Sequence, residues 1–287
     1  MTVYLVLGAK GFIGSRLVDR LAKLEMPVYS YNRLDHTVVQ YLTNKQESME
    51  QFIEDKNSIQ IINCLAAWGE QVQSKSIKVA NYELPLSIFK IVASHKNVRS
   101  WIQISSYYYF HFLNTGIDKN EYSYWKRKLS SELKSFVSQI EKNQDLKILD
   151  IYIPHIYGNR DRTERLVGLI LQHTDSDTPL KLTSGKQILP LLHIEDCVSG
   201  IISLMNDWDR QKGYKEVYIS EQIQLSIKDI VSSVMKFRPL KVDYGAIVER
   251  ENEFYEPIKS PMESYRLEQY LDFNEYLRAQ MNRGNYE

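Results

Sequence analysis

The sequence predicts an α/β fold: a doubly wound parallel sheet with a smaller C-terminal lobe. Three observations carry that prediction. Apolar, strand-like runs alternate with helical patterns through the first two thirds of the chain, the signature of βαβ units. The runs are near-continuous in hydrophobicity, as strands are when helices cover both faces of a sheet. A glycine-rich turn joins the first run directly to the first helical pattern.

Taken in order, residues 3–7 (VYLVL) are five apolar residues ending at a glycine, hence a strand. Residues 13–24 follow, with Leu17, Val18, Leu21 and Leu24 at helical spacing. Further strands are expected at 27–31, 59–65, 101–105 and 146–153, and helices at 82–94 and 122–140. After Gly158 the character changes. Turn-forming and charged residues 159–165 lead into a helix, a turn at Ser184-Gly185, the run 190–194 and a helix from Asp196. Asp196 reads as the N-cap of that helix, and His193 as structural. From Ser226 the chain is charged, tyrosine-rich and strand-poor. The expected division is a dinucleotide-binding domain over 1–158, with 190–222 returning to it. Residues 159–189 and 223–287 then form a substrate-binding lobe.

Charge excludes some partners. Lys plus Arg and Asp plus Glu number 36 each in the 287 residues, so no net field draws the chain to nucleic acid or anionic lipid. The two cysteines, Cys64 and Cys197, have neither pairing nor metal-ligand spacing and read as buried thiols, with no metal expected. The first residues lack a basic n-region and cleavage site, and no apolar stretch approaches the roughly 20 residues of a membrane helix. A cytoplasmic protein with no membrane partner is expected.

The strongest local signal is Gly8-Ala9-Lys10-Gly11-Phe12-Ile13-Gly14, between strand and helix. That context aims free backbone N–H groups and a helix dipole at a pyrophosphate. Gly8 permits the turn, Gly11 the approach of phosphate, and Gly14 the packing of helix on strand. At the end of the second strand an acidic residue would hold the ribose 2′-hydroxyl of NAD, whereas arginine suits the 2′-phosphate of NADP. Asn32 stands there and Arg33 follows it. This favours NADP, with NAD remaining open.

The GxxGxxG spacing resembles the short-chain dehydrogenase/reductase family, and Gly11-Phe12-Ile13-Gly14 matches its extended branch, the NAD-dependent epimerase/dehydratases. That resemblance implies a Rossmann fold and cofactor contacts at Leu65, Ala66 and Ala67, at Asn81 of the next helix, and near Tyr157-Gly158, where His155 would approach the nicotinamide. It also implies a catalytic serine, tyrosine and lysine. Two overlapping YxxxK pairs occur, Tyr122/Lys126 and Tyr124/Lys128. Tyr122 continues the apolar stripe of Leu129, Leu133, Phe136 and Ile140, which favours the first pair; the Lys128-to-Glu132 spacing, seen in relatives, favours the second. Ser106, after the structural Ser105, matches the catalytic serine.

In 4,6-dehydratases of this branch an Asp-Glu pair follows the serine or threonine; here Tyr107 and Tyr108 stand there. The short gap from Ser106 to Tyr122 and the segment 244–253 look most like the CDP-abequose/CDP-paratose synthase group. That likeness implies reduction of a nucleotide-linked 4-keto-6-deoxy sugar for surface polysaccharide, with Arg250 gripping the substrate pyrophosphate. Arg250 also fits a plain solvated charge run. Leu189-Pro190 and Tyr152 depart from the family pattern and put the nucleotide-sugar acceptor in question. An epimerase holding NAD tightly and a non-catalytic NADP(H) sensor remain as alternatives, and a homodimer through the helices after the fourth and fifth strands is expected.

Overall fold

The computed structural model describes residues 1–32, 36–69, 72–139, 146–208 and 213–283. Strand β1 (Val3–Leu7) enters helix α1 (Phe12–Lys23) and strand β2 (Val28–Asn32). Short strands β3 (Thr37–Gln40) and β4 (Gln46–Ser48) precede α2 (Met49–Asp55) and β5 (Ile59–Asn63). Helix α3 (Ser74–Lys78), a π-helical turn (Val79–Glu83) and α4 (Leu84–Val92) run on to β6 (Val98–Ser106). Helices α5 (Tyr109–Thr115) and α6 (Glu121–Gln139) lead to β7 (Lys147–Ile153). Then come β8 (His155–Tyr157), α7 (Leu166–Gln172), β9 (Leu180–Leu182) and β10 (Ile188–His193). Helix α8 (Ile194–Trp208), β11 (Gly213–Ile219), β12 (Ile223–Ser226) and α9 (Ile227–Met235) follow. The chain closes with β13 (Val242–Tyr244), β14 (Ser264–Tyr265) and α10 (Phe273–Arg283).

Among the described residues the main sheet has nine strands in the order β14-β11-β7-β6-β5-β1-β2-β3-β4. Pairings from β14 through to β2 are parallel, and β3 and β4 add antiparallel. Alternate residues of β1 serve opposite faces: Tyr4 and Val6 join a core with α1 and α8, and Leu5 and Leu7 join one with α4 and α6. Both faces are therefore dry, which is why the strands read as unbroken apolar runs. The lobe has its own core around Tyr157, Val167, Ile230 and Phe273.

Three elements differ from the sequence expectation. Between β2 and α2, where no strand was expected, residues 37–48 form an antiparallel hairpin, its turn closed by Gln40 N–H to Lys45 O and by Asn44 with φ 55°. A four-residue run such as Thr37–Gln40 is too short to stand out as a strand by periodicity. Strand β10 pairs with β8 and β12 in a small three-stranded sheet, and β14, from the stretch assigned to the lobe, joins the edge of the main sheet at β11. Finally, Asp196 is not the N-cap of α8. The helix starts at Ile194, His193 Nδ1 accepts the Glu195 N–H at 3.3 Å, and Asp196 instead accepts from the Leu271 N–H at 2.9 Å.

Candidate active site

The order of the sheet reverses at β1, with β2 on one side and β5 on the other. In open α/β sheets that switch point opens a crevice beyond the carboxyl ends of the strands. The glycine turn after β1, the loop after β5 and Ser106 at the end of β6 all lie along it. Gly8 has φ +79°, and a Cβ there would meet the Cys64 backbone at 3.0 Å. At Gly14 a Cβ would stand 2.2 Å from the Gly8 carbonyl oxygen, a distance no side chain tolerates. Gly11 caps α1 without a side-chain bond, so the first-turn N–H groups at Phe12, Ile13 and Gly14 face outward. Asn32 ends β2, half-buried; Arg33 lies outside the described residues.

The loop after β5 is held from two sides. The Asn63 carboxamide accepts the Leu65 N–H at 3.1 Å and donates to Gln103 at 2.8 Å. Asn81, in the π-helical turn, donates through Nδ2 to Ala67 O at 2.7 Å and to Ile77 O at 2.8 Å. Its Oδ1 is buried with no hydrogen-bond partner among the described residues. Wide π turns recur at functional sites because they push a side chain out of helical register.

Helix α6 carries both candidate tyrosine–lysine pairs, and the structure treats them differently. Tyr122 meets the Tyr108 ring edge-on at 6.2 Å between centroids. Burial, reinforced by Tyr108, pushes its phenol up to about 12, while the Ser106 hydroxyl and Arg165 act the other way. Lys126 is 4% exposed, and its Nζ donates to Leu65 O at 2.9 Å and Ile104 O at 2.8 Å. Burial holds it down to about 8. Tyr124, by contrast, is exposed and meets Trp125 edge-on at 4.7 Å, and Lys128 lies over Tyr82 at 5.7 Å. Helix phase separates the two pairs, as the apolar stripe anticipates. Ser105 turns to the opposite side of its strand from Ser106 and approaches Ser130 Oγ at 3.3 Å.

Other groups complete the cleft. His155 on β8 has a buried Nε2 with no hydrogen-bond partner among the described residues, and burial, with Arg165 nearby, pushes the imidazole down to about 3. Arg250 is exposed, and its charge acts on Tyr108 and Lys119. Two residues that sequence reasoning passed over stand here. The Arg165 guanidinium lies 5.8 Å from the Phe12 ring and 5.7 Å from Trp68, is paired with Asp161 at 3.0 Å, and is felt by Tyr108, Tyr122 and His155. Lys119 pins the segment beside Arg250, donating to Asn252 O at 3.1 Å and Glu253 at 2.6 Å beneath the Tyr108 and Phe254 rings. No local signal marked either, since Phe12 and Trp68, and Asn252 and Glu253, lie far along the chain from them. Among the described residues no cluster of His, Cys, Asp or Glu could hold a metal, and no helix is long and apolar enough to cross a membrane.

A model of the NAD dependent epimerase/dehydratase family matches residues 4–219. The chain belongs to that family. As an epimerase/dehydratase family member it is an NAD-dependent enzyme. The CDP-abequose synthase of Yersinia pseudotuberculosis is 23% identical over 259 residues, covering 87% of this chain and 89% of that protein. The CDP-abequose synthase of Salmonella muenchen is 20% identical over 265 residues, 88% of this chain and 87% of that one. The fold is similar to UDP-glucuronic acid 4-epimerase from Bacillus cereus in complex with UDP-glucuronic acid and NAD, with a TM-score of 0.76, 17% identity and 100% of both chains covered. MoeE5 in complex with UDP-glucose and NAD gives 0.75 at 17% identity, covering 99% of this chain and 98% of that one. The epimerase/dehydratase cofactor suits this geometry: the glycine turn leaves room only for backbone where a Cβ would intrude, and Asn81 Oδ1 and His155 Nε2 have no hydrogen-bond partner among the described residues.

Proposed function

We propose that the protein is an NAD(P)H-dependent reductase of a nucleotide-linked 4-keto-6-deoxy sugar, serving surface polysaccharide or related glycan synthesis. NADPH is the preferred donor, on the strength of Arg33 following Asn32 where an acidic residue would select NAD. The observation that carries the reading is the grouping of Ser106, Tyr122 and Lys126 at the dinucleotide crevice, with tyrosines rather than carboxylates at 107 and 108. A cytoplasmic homodimer, built on the faces of α4 and α6, belongs to the same reading; Ile91 on α4 is exposed.

When bound, the reduced nicotinamide supplies the hydride that reaches the keto carbon. Tyr122 then gives its proton to the carbonyl oxygen, and a phenol well above neutrality holds that proton until charge develops. Ser106, whose hydroxyl favours the ionised phenol of Tyr122, orients the same oxygen. Lys126, one helical turn on, would stabilise the phenolate left behind and hold the cofactor ribose. Tyr107 and Tyr108 are both pushed up by burial and stay neutral, so elimination of water lacks an acid–base pair. Arg165 and Arg250 give the cleft the guanidinium chemistry that a pyrophosphate accepts.

The test is NADPH and NADH consumption with CDP-, dTDP- and GDP-linked 4-keto-6-deoxy sugars. Tyr122→Phe should cost about 10²–10⁴ in kcat, the usual worth of a positioned acid, and Tyr124→Phe should leave it intact. Loss confined to Tyr124→Phe would reverse the assignment. Cofactor retained through purification with no net consumption would point to an epimerase, and NADPH binding without turnover to a sensor.

A further inference from the structure

Between β13 and β14 the chain runs from 245 to 263 without helix or strand. Connections longer than about 12–15 residues with no regular element are uncommon in compact domains, and the ordered ones are usually functional. This one is an ordered strap. Gly245 and Ile247 donate to Thr183 O and Leu182 O, each at 3.1 Å, and Phe254 O accepts the Ile188 N–H at 2.7 Å. The Gln224 carboxamide donates to Ile258 O and accepts the Ile258 N–H, both at 2.7 Å. Those bonds tie the strap to the lobe side of the cleft.

A single side chain holds its middle from the other side. Lys119, just ahead of α6, donates to Asn252 O at 3.1 Å and to Glu253 at 2.6 Å. Only 7% of the lysine side chain and 16% of the glutamate side chain are exposed. Phe254, next along the strap, meets the Tyr107 and His111 rings, each at 5.6 Å between centroids. The Lys119 ammonium also lies 5.0 Å from the centre of the Tyr108 ring, and that ring meets Tyr122 edge-on. Lys119 therefore touches both the strap and the aromatic wall beside the candidate catalytic tyrosine.

A buried ion pair is a weak source of stability, since desolvation offsets most of the attraction and an apolar pair often serves as well. What it fixes is position. Lys119 takes one backbone and one side-chain acceptor on neighbouring residues, which holds the strap in one register. Arg250 is three residues before Glu253, at most about 11 Å along the chain, so the clasp limits where its guanidinium can stand.

We propose that Lys119 is a positioning residue for the substrate: its clasp on Asn252 and Glu253 docks the strap against Tyr108 and presents Arg250 to the phosphates of a molecule whose keto carbon stands at Tyr122. The proposal rests on the nucleotide-sugar reading and names how that substrate is held. Lys119 acts through the strap and takes no part in hydride or proton transfer.

Two measurements on the full chain test it, using Lys119→Met alone and Lys119→Met joined to Glu253→Leu, which leaves no charge buried. Hydrogen exchange needs no substrate. Peptides covering 184–190 and 249–258 should exchange about tenfold faster or more in both variants, the worth of a charged hydrogen bond. In the apolar pair β1 and β5 should keep their rates. Strap exchange that is unchanged, or that rises equally in β1 and β5 of the apolar pair, overturns the proposal. If neither variant folds, Glu253→Gln, which keeps the side chain's shape, takes their place. The second measurement is steady-state kinetics with NADPH and the sugar nucleotide that the unaltered enzyme reduces. KM for the sugar should rise about ten- to a hundredfold in the apolar pair, with kcat and KM for NADPH far less altered, the pattern of lost substrate binding. An unmoved KM, or a fall in kcat alone, overturns the positioning role. If no sugar nucleotide is reduced, the reductase reading fails, and exchange alone decides whether Lys119 docks the strap.

Discussion

His155 shows what one side chain contributes when the fold denies it a proton. Its imidazole is held down to about 3, chiefly by burial, against an ordinary value of 6.5. The unfolded chain therefore binds a proton between those limits that the folded chain refuses, and the stability from neutral His155 is present above pH 6.5 and lost as pH falls. Asp150 works in the opposite sense: its carboxyl, raised to about 6, favours the folded state as pH drops below that value. Replacing His155 by Gln should remove an acid loss on the order of 1–2 kcal/mol between pH 7 and pH 5. Urea midpoints at the two pH values check this; an equal drop in both proteins would show that the imidazole finds a proton in the folded state. At this scale the sequence was legible where function is written in contiguous residues. Arg165 and Lys119 escaped because their meaning lies in Phe12, Trp68, Asn252 and Glu253, which only the fold brings near them.

Among the elements, the strand–turn–helix unit at the N-terminus was the easiest to read, and the reason is steric. Gly8 and Gly14 are required because β1, α1 and the Cys64 backbone converge there. Gly14→Ala places a methyl 2.2 Å from the Gly8 carbonyl, so α1 must move off β1. Cofactor affinity should fall by at least about tenfold, the equivalent of 1.4 kcal/mol, measured by quenching of intrinsic fluorescence on titration with NADPH. Unchanged affinity would mean that the helix N-terminus does not form the phosphate site. Helix α6 was legible for a different reason: its apolar residues Leu129 and Leu133, both fully buried, set the phase that turns Tyr122 inward and Tyr124 out. The N-cap of α8 was misread because a histidine ring took a role more often filled by Asp, and the hairpin after β2 went unread because its strands are short and partly exposed.

In the molecule as a whole, the sheet is a partition between two cores that share no side chain. Leu133 belongs to one and Ile201 to the other, and both are fully buried. Truncating either to Ala should cost about 2–5 kcal/mol. Because the sheet separates them, the double variant should lose the sum to within about 0.5 kcal/mol. Denaturant unfolding of the four proteins tests this, and a coupling well beyond that margin would mean that the sheet transmits strain from one face to the other.

The two edges of the sheet also differ in when they can exist. One edge is the hairpin after β2, whose strands follow each other directly along the chain and close short loops. The other is Ser264–Tyr265, two residues that reach β11 from near the far end of the sequence. Loop closure favours neighbours, so on the ribosome the hairpin edge can be in place while most of the chain is unmade. The β11 edge must wait, its backbone groups unpaired on that side, until Ser264 and Tyr265 have left the exit tunnel. A nascent chain stalled before residue 264 is thus the form with an open strand edge, and the one a chaperone would meet.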